Sequence, residues 1–258
     1  MSFFVAALLG IVEGVTEFLP ISSTGHLILT ERLLGVTFTE SVASFDIAIQ
    51  LGAIAAVAIL TGRKLLGNRR VLWLTFVAFL PTAIIGVLVH GLAKTYLLGN
   101  VTVVLWSLFL GGIFLIFFEL LHSNRPARYQ ESTQITLLMA ILIGCFQSIA
   151  IIPGISRSAA TIIGGMLLGM ERRAIVEFSF FLAIPTMAAA TGFDLLKSAP
   201  NLSLHDAEVI AVGFLFSLLT ALIAIKWLLR FIKTHTFIPF GFERIGIAVL
   251  VWLFIQSY

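Results

Sequence analysis

Residues 10–24 read Gly-Ile-Val-Glu-Gly-Val-Thr-Glu-Phe-Leu-Pro-Ile-Ser-Ser-Thr, and residues 144–158 read Gly-Cys-Phe-Gln-Ser-Ile-Ala-Ile-Ile-Pro-Gly-Ile-Ser-Arg-Ser. An offset of 134 residues, close to half of the 258-residue chain, aligns the two stretches without gaps. Each stretch places polar groups, a proline and clustered hydroxyls inside apolar sequence. We therefore expect two related halves, each with a broken polar segment. The offset aligns Gly10 with Gly144, Glu13 with Gln147, Ser22 with Ser156, and Thr24 with Ser158.

The composition is that of a membrane protein. Hydrophobic residues make up 59% of the chain and charged residues 11%, and the mean hydropathy is +1.09; a soluble domain carries roughly a quarter charged residues. Six apolar segments approach the roughly 20 residues that a spanning helix needs. We therefore predict an all-α polytopic membrane protein. The predicted spans are 41–61, 71–91, 101–121, 174–197, 207–230 and 242–258.

The basic residues predict which span ends face the cytoplasm. Lys and Arg are concentrated in four segments, whereas the intervening connections carry about one basic residue each. The four segments are 62–70, 122–134, 171–173 and 226–235. The positive-inside rule places the rich set in the cytoplasm, and both termini then lie outside. Because the basic residues sit in short loops, the net charge of +3 does not call for a nucleic-acid partner.

The two polar stretches are too short and too broken to be spans. A helix over 23–34 would measure about 18 Å, against a hydrocarbon core of roughly 30 Å. Broken backbone at membrane depth is tolerated where it is buried in protein or lines a cavity. We therefore predict two re-entrant helix–loop–helix hairpins, at 1–35 and 135–170, whose breaks meet near the midplane.

Each hairpin is followed by three predicted spans. The chain then forms a single membrane domain, 1–258, built from a first repeat, 1–121, and a second repeat, 135–258. An odd number of spans inverts the second repeat relative to the first. Inverted repeats with broken helices at a central site are a known membrane architecture.

The hydroxyls after each break predict an anion site. Ser22 or Ser23 in the first hairpin and Ser156 in the second are favoured helix N-caps, and helix N-termini attract phosphate. Arg157 adds a side chain suited to bidentate phosphate contact. The alternative for the serines is that they only cap the helix breaks. An unpaired Arg157 at this depth would be costly, which favours a functional role.

Glu13 and Glu17 are four residues apart and share a helix face. Two carboxylates that close repel each other, share a proton or bind a cation, and a hard divalent ion fits carboxylates beside a phosphate. The alternative is a pair of solvated acids at an exposed helix end.

His26 lies on the helix turn that follows Ser23, so it could act as an acid or base toward a hydroxyl or phosphate oxygen. Its alternative role is a hydrogen bond inside the bundle. For Asp46 and Glu177, in or near spans, we expect hydrogen bonding within the bundle.

Residues 13–26, Glu-Gly-Val-Thr-Glu-Phe-Leu-Pro-Ile-Ser-Ser-Thr-Gly-His, closely resemble the first signature of the undecaprenyl-pyrophosphate phosphatase family of the bacitracin-resistance type. Residues 153–161, Pro-Gly-Ile-Ser-Arg-Ser-Ala-Ala-Thr, resemble its second signature. The stretches 49–52 and 177–180 are also similar to that family, so the resemblance covers nearly the whole chain.

The resemblance implies a bacterial inner-membrane enzyme with its site open to the periplasm. Such an enzyme removes the terminal phosphate of a lipid substrate, undecaprenyl pyrophosphate, and so recycles the carrier for cell-wall synthesis. The family uses a divalent cation, Mg²⁺ or Ca²⁺. The resemblance implies metal binding or base chemistry by Glu13 and Glu17, catalytic roles for Ser23 and His26, and pyrophosphate binding by Arg157 with Ser156 and Thr161. We also predict a catalytic role for Glu17 and substrate binding by Ser22 and Thr24.

The sequence leaves several alternatives open. Ser23 could attack the phosphorus, with Glu17 or His26 taking its proton, or a metal-activated water could attack while Ser23 only binds phosphate. An ion-coupled transporter or lipid-phosphate flippase would have the same repeat architecture. The oligomeric state is also open, and a homodimer is one arrangement that the sequence allows.

Overall fold

The computed structural model of the protein describes residues 1–37, 39–97, 100–122, 126–198 and 204–256. These residues form helices, turns and one isolated β-bridge, between Tyr129 and Met170. Two short 3-10 turns lie at Ser132–Gln134 and Ile149–Ile151. The α-helices are α1 (Phe3–Thr16), α2 (Ser23–Leu33), α3 (Glu40–Leu66), α4 (Arg69–Tyr96), α5 (Val101–His122), α6 (Leu137–Ser148), α7 (Arg157–Leu167), α8 (Arg172–Ser198), α9 (Leu204–Phe231) and α10 (Ile238–Gln256).

Five of these helices are long and apolar enough to cross a membrane. They coincide with the first five predicted spans, and large apolar side chains such as Val87 and Trp252 are exposed on the outer surface, as lipid-facing residues are. The prediction of an all-α polytopic membrane protein is confirmed at this level. The sixth predicted span, 242–258, falls on α10, and its residues 257–258 lie outside the described residues. The five apolar segments are Ser41–Leu66, Arg69–Val89, Val101–His122, Arg172–Gly192 and Asp206–Phe231.

The helices extend further into the basic connections than the sequence predicted. α3 ends at Leu66 and α4 begins at Arg69, so the predicted connection 62–70 is a short turn. Lys64 therefore lies in the last turn of α3, where a cation interacts favourably with the helix dipole. Its Nζ also pairs with Glu177 Oε1 on α8 at 2.5 Å; because the Lys64 side chain is 64% exposed, Glu177 has an ion-pair partner at the surface rather than inside the bundle.

Both polar stretches form two short helices separated by a break, as predicted. The helices α1, α2, α6 and α7 contain 14, 11, 12 and 11 residues. Their lengths of about 16–21 Å fall short of a hydrocarbon core of roughly 30 Å. The breaks occupy residues 17–22 and 149–156.

The two halves of the chain interlock through matching contacts. α1 packs on α9 and α6 packs on α4, while α3 packs on α9 and α8 packs on α4. If each helix of α1–α5 is exchanged with the helix five places later, the contact of α1 with α9 becomes that of α6 with α4. In the same way, the contact of α3 with α9 becomes that of α8 with α4. The contacts of α3 with α8 and of α5 with α10 are unchanged by the exchange. Each hairpin is thus held by a long helix of the opposite half.

A glycine makes the corresponding close approach in each half. A Cβ at Gly10 on α1 would collide with the backbone carbonyl of Gly213 on α9, and a Cβ at Gly144 on α6 would collide with that of Ala78 on α4. Without a side chain the backbones approach closely, as is common between membrane helices. The glycines aligned by the 134-residue offset therefore serve the same packing role.

The centre of the molecule lies around α3 and α8. In their most apolar segments 56% and 61% of the residues are buried, against 28–33% for α4, α5 and α9. The two central helices also pack on each other. α8 brings the Ser179 carbonyl to Arg157 after the second break, and α3 carries Asp46, which interacts with Glu31 on α2.

Candidate active site

The two breaks contact each other directly. Ser156 Oγ donates to the Leu19 carbonyl at 3.4 Å, and Ser158 Oγ donates to the Phe18 carbonyl at 2.9 Å. Hydroxyls at the start of α7 therefore satisfy backbone carbonyls of the first break. The predicted meeting of the breaks is confirmed within the described residues.

Both helices that follow the breaks begin at the predicted serine caps. Ser22 Oγ accepts the Gly25 amide at 3.4 Å, and Ser156 Oγ accepts the Ala159 amide at 3.1 Å. The capping role is therefore present at both positions. The first residues of α2 and α7, Ser23 and Arg157, both contact Glu17, so the starts of the two helices lie near each other.

Ser22 adopts a backbone conformation that is unusual for a residue with a side chain. Its φ is +75°, and no other described residue except glycine has a positive φ. Such a conformation costs about 1–3 kcal/mol and is found preferentially at functional sites. It directs the Ser22 carbonyl at His26 Nδ1, 2.8 Å away, and it starts α2 so that Ser23 faces Glu17.

Ser23 and Glu17 form the first link of the site. Ser23 Oγ donates a hydrogen bond to Glu17 Oε2. Both residues are buried, with exposed fractions of 5% and 8%, so the alternative of a solvated Glu17 is wrong. A serine hydroxyl that donates to a buried carboxylate is paired with a base able to take its proton.

Arg157 forms the second link. Its Nε and Nη2 donate to Glu17 Oε1 at 3.3 and 3.0 Å, and its Nη1 donates to the Ser179 carbonyl at 3.2 Å. The guanidinium also lies over the Phe18 ring, 5.8 Å from its centroid, within cation–π range. These contacts leave one N–H on each terminal nitrogen uncommitted among the described residues. Arg157 is thus paired with a carboxylate and can still bind an anion.

Glu13 lies one helix turn before Glu17 and has a different environment. Its side chain is fully buried, which excludes the alternative of a solvated acid. No donor reaches either of its carboxylate oxygens among the described residues. The charges that act on it are those of the Glu17 and Asp46 carboxylates and, with the opposite sign, that of Arg157. The polar capacity of Glu13 is thus unused by the described part of the protein.

His26 is positioned by a carboxylate that the sequence analysis did not identify. Its Nε2 lies 2.7 Å from Glu243 Oε1 on α10, while its Nδ1 contacts the Ser22 carbonyl. Both ring nitrogens therefore face acceptors rather than Ser23. The available signal was the adjacent charge pair Glu243-Arg244 inside an apolar segment, since charges in such segments are costly unless they have a role.

The remaining predicted site residues are less central. Thr24 is half-buried in the first turn of α2. Thr161 is fully buried, donates to the Arg157 carbonyl at 2.9 Å and lies 3.4 Å from Gln147 Oε1. Thr161 therefore supports the turn that carries Arg157, and its predicted contact with substrate stays a prediction.

Arg244 joins both breaks and was also missed by the sequence analysis. Its exposed fraction is 2%. It donates to the carbonyls of Pro20 in the first break, Gly154 in the second and Ser107 on α5, at 3.4, 2.9 and 3.0 Å. Gly154 has φ +89°, and a Cβ there would press on Ser107. The absence of a side chain at Gly154 allows α5 and Arg244 to pack directly against the second break.

We expect Arg244→Met to destabilise the protein by about 3 kcal/mol, because buried carbonyls lose charged donors. At about 2–4 °C per kcal/mol, the melting temperature in detergent should fall by roughly 6–12 °C. The exposed Arg230 on α9 offers a matched control, and Arg230→Met should melt close to wild type. Equal melting of Arg244→Met and wild type would show that Arg244 does not hold the breaks.

Comparisons with known proteins identify the family of the chain. A family model described as bacitracin resistance protein BacA matches residues 6–250. The undecaprenyl-diphosphatase of Aquifex aeolicus is 49% identical over 245 residues, covering 95% of each chain. That of Thermus thermophilus is 48% identical over 253 residues, covering 96% of each chain. That of Persephonella marina is 41% identical over 255 residues, covering 99% of this chain and 100% of the relative. The chain therefore belongs to the bacitracin resistance protein BacA family.

Proposed function

We propose that this protein hydrolyses undecaprenyl pyrophosphate to undecaprenyl phosphate and inorganic phosphate, and so recycles the lipid carrier of cell-wall synthesis. The observation that carries the proposal is the buried chain of contacts from Ser23 through Glu17 to Arg157. It joins a hydroxyl, a base and an anion-binding cation where two helix N-termini meet. Full-length relatives that bear the name undecaprenyl-diphosphatase support the same activity.

The contact between Ser23 and Glu17 supports a serine nucleophile over an attacking water. Ser23 Oγ attacks the terminal phosphorus while Glu17 accepts its proton. The bond from that phosphorus to the bridging oxygen breaks, and Glu17 passes the proton to the departing lipid phosphate. Water then attacks the phosphoserine. Its hydroxide stays on the released phosphate, and its other proton returns through Glu17 to Ser23 Oγ.

The other site residues bind and orient the pyrophosphate. The uncommitted N–H groups of Arg157 contact the terminal phosphate and stabilise the charge of the transition state. The first amides of α2 and α7, together with the hydroxyls of Ser22, Thr24, Ser156 and Thr161, complete the anion site. His26 lies one turn beyond Ser23, and its ring nitrogens contact the Ser22 carbonyl and Glu243, so it holds the start of α2 in position for the pyrophosphate.

A divalent cation, Mg²⁺ or Ca²⁺, completes this proposal. Carboxylate ligands fit a hard ion that keeps several waters. Both oxygens of Glu13 lack a hydrogen-bond partner among the described residues, and Glu13 lies beside Glu17. Among the described residues, no three His, Cys, Asp or Glu side chains converge on one point. When bound, such an ion neutralises charge on the transferring phosphate. Glu13 and Glu17 are its proposed protein partners.

The fold supports a specific placement in the inner membrane. The exchangeable contacts of α1–α5 and α6–α10 support two inverted repeats, and the short helices on either side of each break support re-entrant hairpins. With the basic helix ends in the cytoplasm, the first hairpin enters from the periplasm and the site opens to that side.

Phosphate release by purified protein in detergent tests the function directly. We expect inorganic phosphate and undecaprenyl phosphate to appear in equal amounts from undecaprenyl pyrophosphate. A transporter or flippase needs a sealed compartment, whereas hydrolysis does not. Absence of release in detergent, combined with ion-dependent transport in sealed vesicles, would favour the transporter alternative.

Thiol labelling tests the placement in the membrane. In a Cys145→Ala background, a cysteine at Thr37 should react with an impermeant reagent from outside the cell, as should one near the C-terminus. A cysteine at Leu66, exposed in the basic turn between α3 and α4, should react only after lysis. Labelling in the opposite sense would reverse the proposed orientation.

A further inference from the structure

Four carboxylates lie around the first hairpin, and the site arginine pairs with only one of them. Arg157 pairs with Glu17. Glu31 on α2 is 4% exposed, and its carboxyl contacts that of Asp46 on α3. Asp46 in turn lies within electrostatic reach of Glu13. Because buried carboxylates without donors or counter-charges are costly, this group calls for a proton or a cation.

The oxygens left without partners point to the same region. Both oxygens of Glu13, one of Asp46 and one of Glu31 are buried and meet no hydrogen-bond donor in the described part of the chain. Glu13 itself is fully buried. A divalent ion is the ligand that supplies positive charge to several carboxylate oxygens at once.

Packing explains why these side chains come together. α1, α2 and α3 share one small apolar cluster. Glu13 and Glu31 each lie one turn beyond a leucine of that cluster, and Asp46 lies between its two members on α3. The three helices thus carry one acid each past the same cluster, which comprises Ala6, Leu9, Leu27, Phe45, Ile49 and Val209.

The second hairpin provides an internal comparison. Gln147 is the counterpart of Glu13 under the 134-residue offset. Its Nε2 donates to Thr82 Oγ1 and Thr186 Oγ1 at 2.9 and 3.0 Å, and its Oε1 lies 3.4 Å from Thr161 Oγ1. The same position is therefore satisfied by protein in one half and left open in the other. The opening at Glu13 is a specific feature of the first hairpin.

We propose that Glu13 and Asp46 together bind the divalent cation, and that Glu31 orients Asp46 through their contact. Two protein carboxylates suffice for a hard ion that keeps waters and gains phosphate oxygens. This assignment replaces Glu17, the second ligand proposed above, with Asp46, because both oxygens of Glu17 are already engaged by Ser23 and Arg157. The catalytic purpose of the ion rests on the proposed phosphatase function, whereas its binding can be measured without substrate.

Calorimetric titration of Ca²⁺ into metal-stripped protein in detergent tests the proposal. We expect wild type to bind one ion, and Asp46→Asn to bind at least about 100-fold more weakly, because one charged ligand is lost. Asp46→Glu, which keeps the charge, should retain most of the affinity. Glu31→Gln should weaken binding about tenfold through its effect on Asp46. Glu177→Gln, an acid that pairs only with Lys64 among the described residues, is the matched control and should bind as wild type.

Two results would overturn the inference. Wild-type affinity in Asp46→Asn, with binding lost in Glu17→Gln, would place the ion between Glu13 and Glu17. Absence of binding by wild type at millimolar Ca²⁺ would mean that the carboxyls are held by shared protons. Phosphate release measured on the same samples separates the two proposals. If wild type releases phosphate and the Asp46→Asn variant binds Ca²⁺ as tightly as wild type, only the Asp46 site is rejected. An inactive wild type that binds Ca²⁺ rejects only the phosphatase.

Discussion

Arg157→Lys should lower turnover by about 10²–10³-fold although the positive charge is kept. A positioned arginine is worth about 10³–10⁵-fold in phosphoryl transfer. Lysine offers a point charge in place of a planar fork and cannot contact Glu17 and a phosphate with fixed geometry. The measurement is steady-state phosphate release from undecaprenyl pyrophosphate in detergent, with the melting temperature as the check on folding.

The protein contains a matched control for this substitution. Arg172 Nη2 pairs with the buried Glu119 Oε2 at 2.7 Å, its Nη1 donates to the His235 carbonyl at 3.1 Å, and its guanidinium lies 5.1 Å from the centroid of the Phe237 ring. Arg157 makes the same three kinds of contact at the site. Arg172→Lys should therefore lose comparable stability and keep near-wild-type turnover. Equal turnover in the two variants would remove Arg157 from the chemistry.

Ser23→Ala should lower turnover by about 10³-fold or more, because no nucleophile remains at the phosphorus. Glu17→Gln should lower it by about 10²–10⁴-fold, because the amide cannot accept the serine proton. Acid quenching with substrate labelled in the terminal phosphate should trap label on Ser23 in wild type. Ser23→Ala should carry none.

The two variants also separate the proposed serine attack from direct attack by water. If Ser23 only binds phosphate, Ser23→Ala should raise KM and leave turnover within a few-fold of wild type. In that case no labelled protein would be trapped. Ser22→Ala removes a helix cap and a proposed substrate hydroxyl but keeps the Ser23 hydroxyl, so it should raise KM and still trap label on Ser23.

Much of the fold was predictable because membrane insertion imposes strong local requirements. Long apolar runs must be helical where water is absent, and five predicted spans coincide with long apolar helices. The breaks were predictable because prolines and hydroxyl clusters interrupt those runs. Helix ends were less predictable. Basic residues such as Lys64 extend the last turn of a helix as readily as they occupy a loop.

The sequence alone determined the membrane class, the two-half organisation, the broken hairpins and the set Glu17, Ser23 and Arg157, because each produces a local pattern of polarity within apolar sequence. Only the tertiary structure decided which partners these side chains have. Glu17 faces Arg157 across 140 residues, and His26 faces Glu243 across 217 residues. The contact between the two breaks brings Glu17 to Arg157, and the packing of α2 and α10 on α5 brings His26 to Glu243. No local periodicity encodes those contacts, so the roles of Glu243, Arg244 and Asp46 emerged only from the packed structure.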